Sequence, residues 1–264
     1  MPTTVESHEQ QAHAAHFLRR VTVATGGGMF IDGFVFASFA AALAGAGMDR
    51  AIGVSSVWES LISSSTLVGT FLGGLFLGYV TDRTGRKPMF TVDLCVFLLC
   101  AVLMFAVTAA WEVAALGLVM GIAIGADYSI GSPLLSEFTP DRRRGHYLGL
   151  LEISWNVGYV IAYLVGYLIN SYWSGGWKVI LAASAVPAVV CLVIRHGLPE
   201  SPRWLLSKGR ADEAHEIIDT ELGRERRRDF EHEEQAETRY AMLFDREYLQ
   251  RTLFACLFWV AIVT

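Results

Sequence analysis

Charged residues are scarce in this sequence and are absent from long parts of it. Only 18% of the 264 residues are Asp, Glu, Lys or Arg, whereas 53% are hydrophobic. Soluble domains carry about 25% charged residues, so this composition argues against an ordinary soluble fold. Four segments contain no charged residue at all: 61–81, 94–111, 153–177 and 179–194. Segments of this length can cross ~30 Å of hydrocarbon as helices of about 20 residues.

Motifs for metals, nucleotides and covalent catalysis are also missing. The sequence has no P-loop, no zinc-binding spacing and no assembled serine hydrolase pattern, so we expect neither an enzyme nor a cofactor or metal site. The four cysteines lie in apolar segments without metal-ligand spacing. The net charge of -5 comes from the acidic segment 199–250 and gives no reason to expect a nucleic-acid partner.

Two further apolar segments, 21–48 and 113–136, are each interrupted by one carboxylate, Asp32 and Asp127 respectively. Together with the four uncharged segments they predict an all-α integral membrane protein with six spanning helices. The predicted spans are about 21–47, 57–80, 89–109, 112–135, 147–170 and 176–195. The short charged connections between them disfavour the alternative, which is a set of buried helices in a large soluble protein.

The basic residues predict the orientation of the chain. Lys and Arg in short loops resist translocation and stay on the cytoplasmic side. With a cytoplasmic N-terminus, every basic residue except Arg50 and Lys178 lies inside the cell. Arg19 and Arg20 precede a first span that is too long for a signal peptide. We therefore expect a multi-pass protein of the cell membrane, in contact with lipids, whose first helix is not cleaved.

Composition divides the chain into four parts. Residues 1–20 form a polar cytoplasmic tail, 21–196 the six-helix bundle, and 197–250 a charged segment typical of cytoplasmic linker helices. Residues 251–264 begin a seventh apolar segment, which at about 13 residues is too short to cross a bilayer. We therefore expect a chain that is cut within its seventh helix.

A charged loop lies between the second and third predicted spans. Its residues follow the spacing G-x-x-x-D-R-x-G-R-K, with Gly85 suited to a tight turn. The specified positions are Gly78, Asp82, Arg83, Gly85, Arg86 and Lys87. In every one of them, and in its location, the loop resembles the signature loop of the major facilitator superfamily.

Two further segments narrow the resemblance to the sugar-porter branch. Glu137 and Arg144 follow the fourth span in the spacing of that branch, and Pro-Glu-Ser-Pro-Arg-Trp-Leu at 199–205 follows the sixth. The sequences around Asp32 (Asp-Gly-Phe) and Asp127 (Gly-Ala-Asp-Tyr) look more like bacterial metabolite:proton symporters for organic acids than like dedicated hexose carriers.

The resemblance implies the N-terminal half of a transporter, built as a six-helix bundle from two three-helix repeats. It implies transport of a small organic solute, of sugar or organic-acid type, by alternating access and coupled to protons. The partner that it implies is a C-terminal six-helix half, or a second copy of the chain. The alternative is a truncated, non-transporting fragment or a half-module that binds and regulates.

The resemblance also implies a cytoplasmic gate of charged residues at the inner helix ends. Such residues can form partly desolvated bonds that favour one arrangement of the helices. The predicted gate residues are Gly78, Asp82, Arg83, Gly85, Arg86, Lys87, Glu137, Arg144, Glu200 and Arg203. The alternative is a set of independent surface ion pairs, each contributing ~0–1 kcal/mol.

The two carboxylates inside the spans are candidates for the proton or substrate site. Asp32 lies 12 residues from Arg20 and Asp127 lies 10 residues from Glu137, or about 18 and 15 Å along a helix. Both are therefore expected near the middle of the bilayer, where an ionisable group is costly and is a functional hypothesis by default. Alternatively, the two aspartates are neutral or hydrogen-bonded and only tie helices together.

The fifth span carries a polar and aromatic stripe. Glu152, Trp155, Asn156 and Tyr159 are spaced by three and four residues and so share one helix face. They can contact a small polar ligand in a cavity, or they can serve interhelical packing with one buried hydrogen bond.

One position departs from the sugar-porter pattern. Many members of that branch carry an arginine in the fourth helix, four residues before a glycine-rich stretch, and Gly117 occupies this place here. A mechanism that pairs the helix-one aspartate with that arginine is therefore not open to this chain.

Overall fold

The computed structural model describes residues 4–173, 175–223, 227, 230 and 240–263, and every regular element in these residues is helical. The all-α prediction is therefore confirmed. The helices are α1 (Thr4–Ala44), α2 (Ala46–Ile52), α3 (Ser56–Thr84), α4 (Arg86–Leu103), α5 (Ala110–Phe138), α6 (Arg144–Tyr172), α7 (Trp177–Ala182), α8 (Ala185–Arg195), α9 (Pro202–Ser207), α10 (Ala211–Ile217) and α11 (Arg246–Val263).

Six helical segments of the described residues are long and apolar enough to cross a bilayer, as predicted. They are α1 from Gln10, α3, α4 with a following 3₁₀ turn, α5, α6, and α7 with α8 as one span. Except at the N-terminus, their ends lie within a few residues of the predicted ones. The chain is a multi-pass membrane protein.

The first helix starts well before the first apolar segment. Residues 4–20, predicted as a polar tail, continue α1 without a break. Phe17 and Leu18 are buried, and the Phe17 ring packs edge-on against Phe138 with 5.1 Å between the ring centroids. This packing stabilises the helix ahead of the span, since in proteins most of the stability of a helix comes from tertiary packing.

The predicted linker, 197–250, is divided between two compact units of the chain, with the boundary after Arg227. In the first unit it contains α9, α10 and a π-helical turn, Ile218–Leu222. Residues 224–226, 228, 229 and 231–239 of the linker lie outside the described residues.

The second unit comprises Arg228–Thr264. Its described part contains a 3₁₀ turn, Tyr240–Phe244, followed by α11. The Thr252 hydroxyl donates a hydrogen bond to the Leu243 carbonyl at 3.0 Å and joins the two elements. Residues 251–263 of the predicted seventh helix lie within α11, which begins five residues earlier; Thr264 lies outside the described residues.

Two helix pairs make the most extensive contacts in the first unit, α3 with α5 and α1 with α6. Glycines allow the backbones of each pair to touch. A Cβ at Gly73 of α3 would come closer than 3.0 Å to the backbone of Ile122 on α5, and one at Gly158 of α6 would do the same to Phe30 on α1. Small residues at a helix crossing permit this approach in a membrane.

The two pairs are equivalent in a fold of two three-helix repeats. Spans one and four correspond in such a fold, and so do spans two and five. The pair α1–α6 joins spans one and five, and the pair α5–α3 joins spans four and two. The third and sixth spans, α4 and α8, contact each other beside these pairs. This arrangement fits the six-helix bundle that the sequence predicts.

The glycine packing leads to a test with a built-in control. Replacing Gly73 with alanine should lower the stability of the bundle by ~1–3 kcal/mol, because the new methyl group meets the Ile122 backbone. The neighbouring Gly74→Ala should be tolerated, since the nearest atom to its added Cβ is 3.8 Å away. Thermal unfolding in detergent measures both variants. Equal unfolding midpoints would show that the crossing can relax.

Candidate functional site

Four ionisable side chains from four different spans meet in the interior of the bundle. They are Asp32 on α1, Asp93 on α4, Asp127 on α5 and Arg195 at the end of α8. Their exposed fractions range from 0% for Asp32 to 7% for Arg195. We call this set the Asp–Arg cluster. The structure therefore brings together the two aspartates predicted from the sequence and adds two residues that were not predicted.

Arg195 bonds to two of the three carboxylates. Its Nη2 donates to Oδ1 of Asp127 at 2.8 Å, and its Nη1 donates to the Asp93 carboxylate at 3.0 and 3.3 Å. Its Nε donates to the Ala24 carbonyl of α1 at 3.2 Å, and Nη1 also donates to the Phe90 carbonyl of α4 at 3.0 Å. One guanidinium thus ties α8 to three other spans.

Asp32 faces this ion-pair network without joining it. In the described part of the chain, neither of its carboxylate oxygens has a hydrogen-bond partner. Asp127, Asp93 and Arg195 are the charged groups that act on it electrostatically. A buried carboxylate without a partner is costly to keep charged, and Asp32 is the one carboxylate of the cluster with neither oxygen bonded in the described residues.

Gly28 of α1 provides the space for the ion pair. A Cβ at this position would come within 3.0 Å of both the Asp127 carboxylate and Nη2 of Arg195. Gly28 lies four residues before Asp32 and therefore on the same face of α1. The Asp127 carboxylate of α5 therefore faces α1 about one helical turn before Asp32.

The stripe on α6 lies beside the cluster, and its two aromatic members form a stack. The Trp155 ring stacks on Tyr159 with centroids 5.4 Å apart, and Tyr159 packs against Tyr163 at 5.5 Å. Tyr128 on α5 connects the two regions, because it contacts Trp155 and interacts electrostatically with Asp32.

The polar members of the stripe, Glu152 and Asn156, are both exposed. The Asn156 amide donates to the carbonyl of Glu152 at 2.8 Å, one turn earlier on the same helix. Their exposure on a helix of a membrane bundle is compatible with a water-filled cavity beside α6.

Where the end of α5 meets the start of α4, the structure brings together Arg86, Glu137 and Ser201. Arg86 forms an ion pair with Glu137, which also accepts a hydrogen bond from the Ser201 hydroxyl. The Glu137 side chain is 5% exposed and the Arg86 side chain 16% exposed, so this is not a surface ion pair. The alternative of independent surface pairs is therefore wrong for these residues.

Glu200 stabilises the start of α4. Its carboxylate accepts hydrogen bonds from the backbone N–H groups of Arg86 at 3.0 Å and Lys87 at 3.1 Å. The first turn of a helix has unpaired N–H groups and a partial positive charge, both of which a carboxylate satisfies. Gly85 precedes this turn with φ of 101°, a conformation that favours glycine.

The remaining gate residues surround this centre. The Trp204 indole of α9 donates to the carbonyl of Asp82 at 3.0 Å, and the Asp82 side chain is exposed. Arg83 lies over the Tyr79 ring at 4.1 Å. Arg203 interacts electrostatically with Glu137. Gly78 and Arg144 are half-buried, near the end of α3 and at the start of α6.

The sequence contained a weak signal for the two missed residues. Asp93 and Arg195 each adjoin an uncharged segment, 94–111 or 179–194, and neither was singled out, although the predicted spans 89–109 and 176–195 contain them. Asp93 lies seven residues inside α4. At Gly117, where many sugar porters carry an arginine, an added Cβ would meet the Ser65 hydroxyl and the Phe39 ring, so no larger side chain fits without a shift of these groups.

Known proteins similar to this chain are transporters. The sequence matches the family described as "Sugar (and other) transporter" over residues 5–262. It is 35% identical over 244 residues to the inner membrane metabolite transport protein YgcS of Escherichia coli K12, covering 92% of this chain and 54% of YgcS. It is 32% identical over 200 residues to the arabinose-proton symporter of the same strain, covering 70% of this chain and 42% of the symporter.

The fold is also similar to a solved structure. The proton:xylose symporter XylE, bound to 6-bromo-6-deoxy-D-glucose, superposes with a TM-score of 0.71 at 20% identity. The match covers 79% of this chain and 50% of that chain. The chain spans about half the length of the curated relatives that it matches.

The role of Gly28 can be tested by adding one methyl group. Gly28→Ala should destabilise the bundle by ~1–3 kcal/mol, because its Cβ displaces the Asp127–Arg195 ion pair. Gly131→Ala is the control: this glycine is also buried, one turn beyond Asp127 on α5, and no atom lies within 4 Å of its added Cβ. Thermal unfolding in detergent should separate the two variants, and a G28A midpoint equal to that of G131A would contradict the close packing.

Proposed function

Because the chain belongs to the sugar transporter family of the major facilitator superfamily, we propose that it is the N-terminal half of a proton-coupled secondary transporter. It moves a small organic solute, of sugar or organic-acid type, by alternating access. Its matched relatives are transporters rather than enzymes. The observation that carries the proton coupling is the buried Asp–Arg cluster, with Asp32 outside its ion pairs.

The charge count of the cluster supports proton binding. Three carboxylates face a single guanidinium, so the fully ionised cluster would carry a net charge of about -2 in a low-dielectric site. An uncompensated buried charge costs several kcal/mol, and a bound proton removes it. Opening of the bundle to water on one side lowers this cost and releases the proton. The relative named as an arabinose-proton symporter supports the same coupling.

Asp32 and Asp127 have different parts in this proposal. Asp127 is held by Arg195 at 2.8 Å, whereas Asp32 is free to exchange its proton or to contact the solute. Glu152, Trp155, Asn156 and Tyr159 provide a stacking surface and polar groups for the solute. The stacked rings suit the apolar face of a sugar ring or an aromatic acid.

The ion pair Arg86–Glu137 and the Glu200 cap are the inner gate. They join the starts of α4 and α9 to the end of α5, so they hold the cytoplasmic ends of these helices together. Asp82, whose side chain is exposed at this end, is proposed to bind a C-terminal half or a second copy of the chain. Lipids cover the apolar outer surface of the bundle in the cell membrane, with the N-terminus in the cytoplasm.

Transport assays on carboxylate variants test this function. Uptake of radiolabelled sugars, aliphatic acids and aromatic acids is measured in proteoliposomes with an imposed pH gradient, with the chain alone and with a C-terminal six-helix half added. Asp32→Asn and Asp127→Asn should reduce proton-driven accumulation at least tenfold. Asp49→Asn, an exposed carboxylate on α2, is the matched control and should behave like the unsubstituted chain.

Two results would overturn the proposal. Proton-driven accumulation that persists in both D32N and D127N would remove the cluster from the coupling mechanism. No uptake of any solute class in either preparation would favour a non-transporting half-module.

A further inference from the structure

The transport proposal uses Asp32 and Asp127, and the structure places a third carboxylate on the same guanidinium. Asp93 is 3% exposed and bonds to Nη1 of Arg195, while Asp127 bonds to Nη2 of the same group. The Asp93 and Asp127 carboxylates are close enough to act on each other electrostatically, and Oδ2 of Asp127 is buried without a hydrogen-bond partner in the described residues. Two carboxylates that share one cation leave one negative charge uncompensated, so a single proton can be held by either of them.

The three aspartates lie at different depths. Asp93 is seven residues from the cytoplasmic start of α4, or about 10 Å along the helix. Asp127 is 11 residues from the cytoplasmic end of α5, or about 16 Å. Asp32 lies about one turn farther along α1 than Gly28, the residue that faces Asp127. The order from the cytoplasm to the membrane centre is therefore Asp93, Asp127, Asp32.

Asp93 also lies on the face of α4 that carries the gate. Arg86 precedes it by seven residues, which is two helical turns, so the two side chains point to the same side of α4. The Arg86–Glu137 ion pair therefore lies two turns from Asp93, on the same side of α4. Of the three aspartates, Asp93 is nearest to this pair along its helix, so we expect water that enters where the pair separates to reach Asp93 first.

We propose that Asp93 is the cytoplasmic-side proton acceptor of the Asp–Arg cluster and that Arg195 is the positioning residue that holds it beside Asp127. This inference rests on the proposed transport function. The proton passes from Asp32 to Asp127 and then to Asp93. In each transfer one O–H bond breaks on the donor carboxyl and one forms on the acceptor carboxylate. The charge of the cluster is therefore unchanged until the proton leaves Asp93 for water. Arg195 keeps its charge throughout.

Titratable groups on three neighbouring helices act on Asp93. In the described residues they are Asp127 on α5, Asp32 on α1, and Arg195 and Cys191 on α8. Arg195 is the only cation among them. A change at Arg195 should therefore alter the proton occupancy of Asp93 more than any other single substitution in this set.

A first test uses the unsubstituted chain in lipid nanodiscs. A hydrophobic carbodiimide forms a stable adduct with protonated carboxyl groups in apolar surroundings, and peptide mass spectrometry locates the adduct. We expect labelling of Asp93 that disappears as the pH rises, and at least threefold slower labelling in Arg86→Gln, because water that enters at the weakened gate releases the proton from Asp93. Labelling of Asp32 and Asp127 without Asp93 across the pH range would overturn the proposal.

Arg195 variants distinguish positioning from simple structural support. In Arg195→Gln the pH midpoint of Asp93 labelling should move upward, because the nearest cation is gone, and Arg195→Lys should restore it in large part. Equal midpoints in all three proteins would remove Arg195 from this role. Because the readout is a pH midpoint, loss of stability alone does not produce the expected pattern.

Transport assays then distinguish a failure of this inference from a failure of the proposed function. Asp93→Asn should lose proton-driven accumulation at least tenfold but keep solute exchange without a gradient within about twofold, while Asp93→Glu should keep both. If the unsubstituted protein accumulates solute with protons and D93N does so equally well, only the inference about Asp93 fails. If the unsubstituted protein shows no proton-driven accumulation, the proposed function itself fails.

Discussion

The guanidinium of Arg195 is the contact on which the interior of the bundle depends. It reaches from the end of α8 to carboxylates on α4 and α5 and to a backbone carbonyl on α1. A buried cation without partners would be far more costly than the same residue at a helix end in water, so these helices must stay in register around it. Gly28 is part of the same constraint, since any side chain there would enter the space that the ion pair fills.

The fold was largely predictable because hydrocarbon imposes simple rules on a sequence. Uncharged segments of about 20 residues identify the spans, and interrupting carboxylates such as Asp32 and Asp127 stand out against them. The beginning of α1 was not predictable in this way, since it precedes the apolar segment and Phe17 there packs against Phe138 of α5. Local composition contains no information about such a distant partner.

Two of the four residues of the Asp–Arg cluster were not predicted, for a related reason. Asp93 and Arg195 stand next to uncharged segments, where a charge is normally read as the end of a helix in water. Only the three-dimensional arrangement shows that the end of the sixth span meets the early part of the third inside the bundle. The gate shows the opposite case: the motif indicated Glu200, but its role as a cap on the backbone N–H groups of α4 became visible only in the structure.

In this chain the buried aspartates have their compensating arginine on the sixth span, and not at position 117 of the fourth span, where many sugar porters carry one. The fourth span has no room for an arginine there, because the packing of Ser65 and Phe39 against Gly117 fills that space. The same helix nevertheless carries Asp127, a buried carboxylate that needs a cation or another hydrogen-bond donor as its partner. Arg195 meets this requirement from the sixth span. Arg195 bonds to Asp93 on α4, and Arg86 at the start of the same helix pairs with Glu137, so the cluster and the proposed gate share one helix.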